Sequence, residues 1–241
     1  MRRLLLPLAL LASSVPAQEP PAAPAQLIIT YRCPPPRRAA FRQYMTEQGL
    51  SRFERWKQEG VLKDYRFLFN WFIDVDTWDA MALLSFPDSA AFLRWKDIEK
   101  TSPGGLPRDG LDMAWPLNSY LADVVSHDSA EAIQGGAPPI YFVVPYDSPT
   151  AAAFREYVRS FGGPQAKALM GDGLIVESSF FVNRYAGGKR WQGMSVFVFK
   201  DFASLARREE VMSKARTAGS PAMTREPILA EPVEPASRLR Q

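Results

Sequence analysis

The chain has 241 residues, 46% hydrophobic and 23% charged, a composition that supports one large globular domain or two small ones. Its formal net charge is +3, and two of the positive charges, Arg2 and Arg3, stand at the extreme N-terminus, so the remainder is close to neutral. That balance excludes an electrostatic footprint for nucleic acid or an anionic membrane, while a single cysteine, Cys33, and a single histidine, His127, exclude an internal disulfide and a structural zinc site.

Arg2 and Arg3 precede a short apolar stretch, Leu4 to Ala12, and Val15-Pro16-Ala17 then offers the small residues that a signal peptidase reads. Residues 1–17 therefore read as a secretory signal, and the protein is expected to be exported, periplasmic or secreted, beginning at Gln18. The apolar stretch is too short to span a bilayer, Pro7 interrupts it, and no later segment has the length and apolarity of a membrane span. Residues 18–25, rich in Pro and Ala, read as an extended or disordered arm.

The first strand is expected at Leu27 to Tyr31, an apolar β-rich run. Pro36 stands where a helix can start. Phe41, Tyr44, Met45 and Phe53 follow at broadly helical spacing, and Gly60 stands where that helix should stop. Leu62 to Ile73 and Trp78 to Phe86 read as strands, and Asp88 as the N-cap of the helix after them. Thr101 to Ser119, rich in Pro and Gly, reads as a loop before a last strand at Tyr120 to Ser126.

The same order then repeats. At an offset of 113 residues, Pro36-x-x-Ala39-Ala40-Phe41-Arg42-x-Tyr44 falls on Pro149-x-x-Ala152-Ala153-Phe154-Arg155-x-Tyr157. Gly60 falls on Gly173, Phe67 on Phe180, Asn70 on Asn183, Trp78 on Trp191, Met81 on Met194 and Asp88 on Asp201. Further on, Leu121-Ala122-Asp123-x-Val125 matches Leu229-Ala230-Glu231-x-Val233 at an offset of 108, so the first copy is longer before its last strand. The chain is an internal duplication, with a first unit at 26–126, a linker at 127–138, a second unit at 139–233 and a loose tail at 234–241. Each unit has the order βαββαβ, the ferredoxin-like arrangement, whose sheet carries helices on one face only. The expected fold class is α+β, with the two units covering each other face to face as an intramolecular barrel that has no need of a second chain.

Tandem ferredoxin-like units of this size resemble the dimeric α+β barrel superfamily. That group includes antibiotic-biosynthesis monooxygenases, stress-responsive barrel proteins, NIPSNAP-like proteins, chlorite dismutases and dye-decolorising peroxidases. The resemblance rests on element order and duplication over Gln26 to Val233. The peroxidase members use a Gly-x-x-Asp-Gly motif; Gly105-Leu-Pro-Arg-Asp109-Gly110 has one residue too many, and no haem or other cofactor is expected.

Alternation along the second strand of each unit puts Tyr65, Phe67, Phe69 and Trp71 on one face and Asp64, Arg66, Leu68, Asn70 and Phe72 on the other. In the second copy the mixed face carries Glu177, Ser179, Phe181, Asn183 and Tyr185. The apolar face should pack on helices and the mixed face should look into the barrel, where polar groups among aromatics make a small-molecule site. Asn70, Asn183, Arg66, Glu177 and Tyr185 are the candidate ligand-binding residues. For the asparagines the alternative is a hydrogen bond at a strand end or turn. For Arg66 and Glu177 it is an ion pair across the barrel mouth or simple solvation. His127 is expected to open the exposed linker, Trp78 and Trp191 to plug barrel ends, and Cys33 to be inert. Two functions fit: an exported protein binding a small aromatic or hydrophobic molecule or a partner protein, or a cofactor-independent monooxygenase- or isomerase-like enzyme.

Overall fold

The computed structural model describes residues 26–130, 138–186, 191–215 and 226–236. The expected signal and arm at 1–25, most of the linker, and the end of the tail lie outside them. Two equivalent series of elements follow each other. The first is β1 (Gln26–Arg32), α1 (Arg38–Tyr44), a π-helical turn (Met45–Gly49), α2 (Leu50–Gln58), β2 (Asp64–Asn70), β3 (Ala80–Ser85), α3 (Ser89–Glu99), the short α4 (Arg108–Leu111) and β4 (Trp115–Ser129). The second is β5 (Ile140–Tyr146), α5 (Ala151–Tyr157), a π-helical turn (Val158–Gly162), α6 (Gly163–Gly171), β6 (Ile175–Asn183), β7 (Gly193–Phe199), α7 (Phe202–Ala215) and β8 (Ile228–Pro232). Among the described residues no helix is long and apolar enough to cross a membrane.

Local chemistry sets the boundaries. The Asp88 carboxylate accepts the Ala91 N–H at 2.7 Å and starts α3, and the Thr150 hydroxyl does the same for Ala153 at 3.0 Å and starts α5. Gly60 and Gly173 lie just past α2 and α6 with φ of +69° and +66°, a left-handed turn that a Cβ would oppose. The π turns recur at matching positions and end at Gly49 and Gly162, another match at the 113-residue offset. There a Cβ would lie 2.5 Å from Met45 Sδ and 2.9 Å from Phe180 Cε1 respectively.

The eight strands form one closed antiparallel barrel in the order β1-β3-β2-β8-β5-β7-β6-β4. Each unit contributes its four strands as one contiguous block of the barrel, β4-β1-β3-β2 and β8-β5-β7-β6, and two seams join the units. At one seam Asn183 of β6 lies opposite Ala122 of β4; at the other Asn70 of β2 lies opposite Ala230 of β8. These are equivalent pairs, so the duplication governs the closure as well as the halves. β2 and β6 run the same way along the barrel, which places the pseudo-two-fold axis parallel to the barrel axis.

Three apolar layers result. Phe67, Phe69, Leu84 and Ile29 pack outward on Phe41, Phe53, Trp56 and Trp95 of the first helices. Phe180, Val182, Val144 and Phe199 pack on Phe154, Val158 and Leu169 of the second. Between the sheets, Ile28, Leu68, Met81, Phe181, Met194 and Val196 fill the barrel. Burying these faces removes large apolar area from water, at about 25 cal/mol per Å².

Two expectations need correction. The linker was expected from residue 127, but β4 continues through His127 and Asp128 to Ser129, because these residues remain paired with Ser179, Ser178 and Glu177 of β6. The second strands are shorter than their apolar runs, because Asn70 and Asn183 end them.

One contact is not duplicated. Asp79, 3% exposed, accepts the Cys33 N–H at 2.9 Å and the Arg38 Nε at 3.1 Å, with Arg32 Nε at 3.8 Å. Gln192 stands at the matching place in the second copy, and its side-chain amide donates to the Asn183 carbonyl at 3.2 Å. Removing a buried partner strands charge, so Asp79→Ala should lower unfolding stability by about 3 kcal/mol and Gln192→Ala by about 1 kcal/mol or less. Urea denaturation of the two variants checks this; equal losses would contradict it.

Candidate functional site

The barrel is no open channel. The apolar side chains at its waist separate two mouths, and each mouth holds a cavity. Around the first mouth the duplicated positions have diverged. Arg66 of β2 matches Ser179 of β6, Asp64 matches Glu177, and Ile28 of β1 matches Tyr141 of β5. Where the halves share a fold, this mouth has one-sided chemistry.

Arg66 reaches across it to Glu177 in a two-pronged pair, with both N–O distances 2.6 Å. Ser179 continues the chain: its hydroxyl donates to Glu177 Oε1 at 3.5 Å and lies 3.0 Å from Nδ1 of His127. His127 Nδ1 is 3.7 Å from Glu177 Oε1. Burial works against the Arg66 charge, but the hydrogen bonds to Glu177, with Tyr141, Glu177 and Asp64 nearby, outweigh it, and the guanidinium is held above its ordinary pKa. Burial likewise raises the Tyr141 phenol, although Arg66 pulls it down, so Tyr141 remains protonated at neutral pH. The cavity beside Arg66, Glu177, Ser179 and His127 has a volume of about 310 Å³ and is bordered by Gln26, Leu83, Val124, Phe181 and Val196 as well, while Tyr141 borders a separate cavity of about 250 Å³ that it shares with Arg66. A fixed cation, a hydroxyl, a half-exposed imidazole and an apolar floor can orient a small molecule with a polar oxygen and an apolar body.

The imidazole reaches this mouth through a fault in the strand. Ala122 and Val124 face Asn183 and Phe181, but Val125 is an extra residue, and the register resumes with Ser126 opposite Phe180. The bulge shifts the alternation by one, turning His127 inward opposite Ser179. Strict period-two reading of β4 would have turned it outward. The signal available in the sequence was the extra apolar residue in Val124-Val125.

The other expected residues lie elsewhere. Asn70 and Asn183 are buried, and each closes its own hairpin. The Asn70 amide donates to the Trp78 carbonyl at 2.9 Å and to the Thr77 hydroxyl at 3.2 Å, while its oxygen accepts the Phe72 N–H at 3.0 Å. The Asn183 amide donates to the Trp191 carbonyl at 3.3 Å, and its oxygen accepts the Tyr185 N–H at 3.1 Å. Neither borders the cavity at either mouth. Tyr185, expected on the inward face, lies past the end of β6 and is 77% exposed, because Asn183 turns the chain there. Cys33 is buried, and burial first and Asp79 second push its thiol up to about 12, far from a nucleophile at neutral pH. Gly105, considered above for a peroxidase motif, is packed against Phe53 and Trp95, and the neighbouring Gly104 carbonyl accepts the Tyr31 hydroxyl at 2.6 Å. Trp78 and Trp191 both border the second mouth. Among the described residues no cluster of His, Cys, Asp and Glu is arranged to hold a metal ion.

No protein-family model and no curated protein matches this chain. Solved structures do. A candidate monooxygenase from Fusobacterium nucleatum subsp. nucleatum is 16% identical with a TM-score of 0.54, the match covering 88% of this chain and 93% of that one. A protein described as a candidate chlorite dismutase is 12% identical with a TM-score of 0.53, over 90% and 97%. A variant of the chlorite dismutase from Candidatus Nitrospira defluvii, in complex with cyanide, is 9% identical with a TM-score of 0.55, over 91% and 94%. The shared fold is the α+β barrel. At these identities the likeness extends to the fold alone. A haem does not fit beside His127: the cavity there is about 310 Å³, and the Arg66–Glu177 pair crosses it.

The asparagines' geometry predicts a structural effect. Asn70→Leu and Asn183→Leu each leave a buried carbonyl and a hairpin N–H without their partner, costing about 1–3 kcal/mol. The melting temperature should fall in both variants, and binding at the Arg66 mouth should survive in the folded protein. Calorimetric melting and a ligand titration on the same samples check this; lost affinity with unchanged melting would return the asparagines to the site.

Proposed function

We propose that the protein is exported and works as a single-chain barrel that binds a small aromatic or hydrophobic molecule bearing an acidic oxygen, a phenol, enol or carboxylate, at the mouth formed by Arg66, Glu177, Ser179 and His127. One observation carries this reading. The two halves keep equivalent folds, seams and hairpin asparagines, yet at this mouth Arg66 faces a serine position and Tyr141 an isoleucine position. Stability alone does not require such divergence. Arg66 and Lys63 supply positive charge, the Ser179 hydroxyl a hydrogen-bonding group, and Phe181, Leu83 and Val196 an apolar wall. Export rests on Arg2, Arg3 and the apolar run behind them. The monomeric state rests on the closure of the barrel by the two halves of one chain.

Catalysis is the second reading, favoured by the His127–Ser179–Glu177 chain. An imidazole in that setting can take a proton from a phenol or enol, the first step by which a cofactor-independent monooxygenase makes its substrate electron-rich. One structural neighbour is itself named a candidate monooxygenase.

Titration with 2-naphthoate and 1-naphthol, followed by fluorescence and calorimetry, tests the site. Both should bind saturably, and Arg66→Met should weaken 2-naphthoate by about tenfold or more, the loss of one charge-assisted contact. Affinity indifferent to Arg66 would overturn the reading. His127→Ala separates binder from enzyme: an enzyme would consume oxygen with 1-naphthol and lose that turnover while keeping affinity, and a binder would consume none.

A further inference from the structure

At the opposite mouth the charged groups are carboxylates alone among the described residues. A cavity of about 470 Å³ opens there, with Trp78, Trp191 and Tyr120 on its walls and Asp74, Asp76 and Glu226 at its rim. No described residue lining it is basic. The rings of Tyr120 and Trp191 are 5.0 Å apart and inclined at 49°, so they form a corner rather than a stack. Met81 and Met194 supply a polarisable floor. Deep in the wall, the Thr30 hydroxyl is without a hydrogen-bond partner in a residue only 4% exposed. An unpaired buried hydroxyl is costly, and this one borders the cavity.

We infer that the mouth walled by Trp78, Trp191 and Tyr120 is a second binding site, for a small organic cation that carries a hydroxyl or N–H group. The faces of tryptophan and tyrosine attract a cation through their quadrupoles, most strongly where water is excluded. The carboxylates of Asp74, Asp76 and Glu226 add long-range attraction and repel anions. The Thr30 hydroxyl offers the ligand's polar group a partner that the fold leaves over. A neutral apolar ligand would use the rings and leave the carboxylates and Thr30 without a role; an anion would meet three like charges. Arg66 and its neighbours take no part, so this site stands or falls independently of the function proposed above.

Choline is the probe, tetramethylammonium its analogue without the hydroxyl, and 3,3-dimethylbutan-1-ol its neutral isostere. Choline should change the intrinsic tryptophan fluorescence saturably, and the neutral isostere should not. Asp76 and Glu226 are exposed, so Asp76→Asn with Glu226→Gln should leave melting unchanged while weakening choline by about fivefold or more, as two screened charge pairs imply. Thr30→Val keeps the side-chain shape and should weaken choline but not tetramethylammonium. The inference is overturned by any of four results: no saturation by about 100 mM choline, a concentration that would reveal millimolar affinity; equal binding of the isostere; affinity unaltered in the carboxylate variant; or displacement of choline by calcium at equimolar concentration.

Discussion

Everything in this molecule depends on covering the bare face of a helix-backed sheet. A ferredoxin-like unit buries one face under its own helices and leaves the other face, here Ile28, Leu68, Met81 and Leu83, to be covered from outside. The second unit supplies that cover, and the linker makes the encounter intramolecular. Once the faces meet, β4 pairs with β6 and β2 with β8, and the eight described strands close into a ring. The apolar waist follows from the same constraint: facing sheets must interdigitate, so free space survives only toward the barrel ends. Both cavities therefore sit at mouths.

The axis relating the halves sharpens this. Because it runs along the barrel, the starts of β2 and β6 meet at one mouth and their ends at the other. Each mouth is built from the same positions of both copies, and chemistry arises where those positions differ. Arg66 against Ser179 and Tyr141 against Ile28 make the first mouth asymmetric, whereas the hairpin asparagines and the tryptophans at the other end remain matched.

The architecture was legible because it is written redundantly. A match such as Phe41-Arg42-x-Tyr44 on Phe154-Arg155-x-Tyr157 reports a repeated helix without any knowledge of its surroundings, and the inward and outward faces of β2 followed from alternation alone. The site was legible in part. Arg66 and Glu177 were singled out individually, and the ion pair was among the readings weighed, since both begin inward-facing strands. Asn70 and Asn183 looked equally suited, but repetition marks a need of the fold, and their amides satisfy backbone groups that no alternation pattern displays. His127 escaped because a bulge is a change of phase: one extra residue at Val125 inverts every later assignment on the strand, and only the partner strand reveals it.

The two seams are equivalent in register but unequal in extent. One runs from Ala122 opposite Asn183 to Ser129 opposite Glu177; in the other, Leu68 to Asn70 pair with Pro232 to Ala230, and one bond at each end extends it, from the Val233 N–H to Phe67 and from the Trp71 N–H to Leu229. Pro232 has no amide hydrogen to give. The ring of strands thus has a strong join and a weak one, and thermal opening follows the weak one. By this reasoning the amide protons that bridge β2 and β8 should exchange with solvent by local parting of that seam, and those between β4 and β6 only with larger unfolding. Arg66 stands beside the weak join, with Glu177 across the mouth on β6 beside the strong one, so the pair spans the barrel as a strut holding together the side most inclined to breathe.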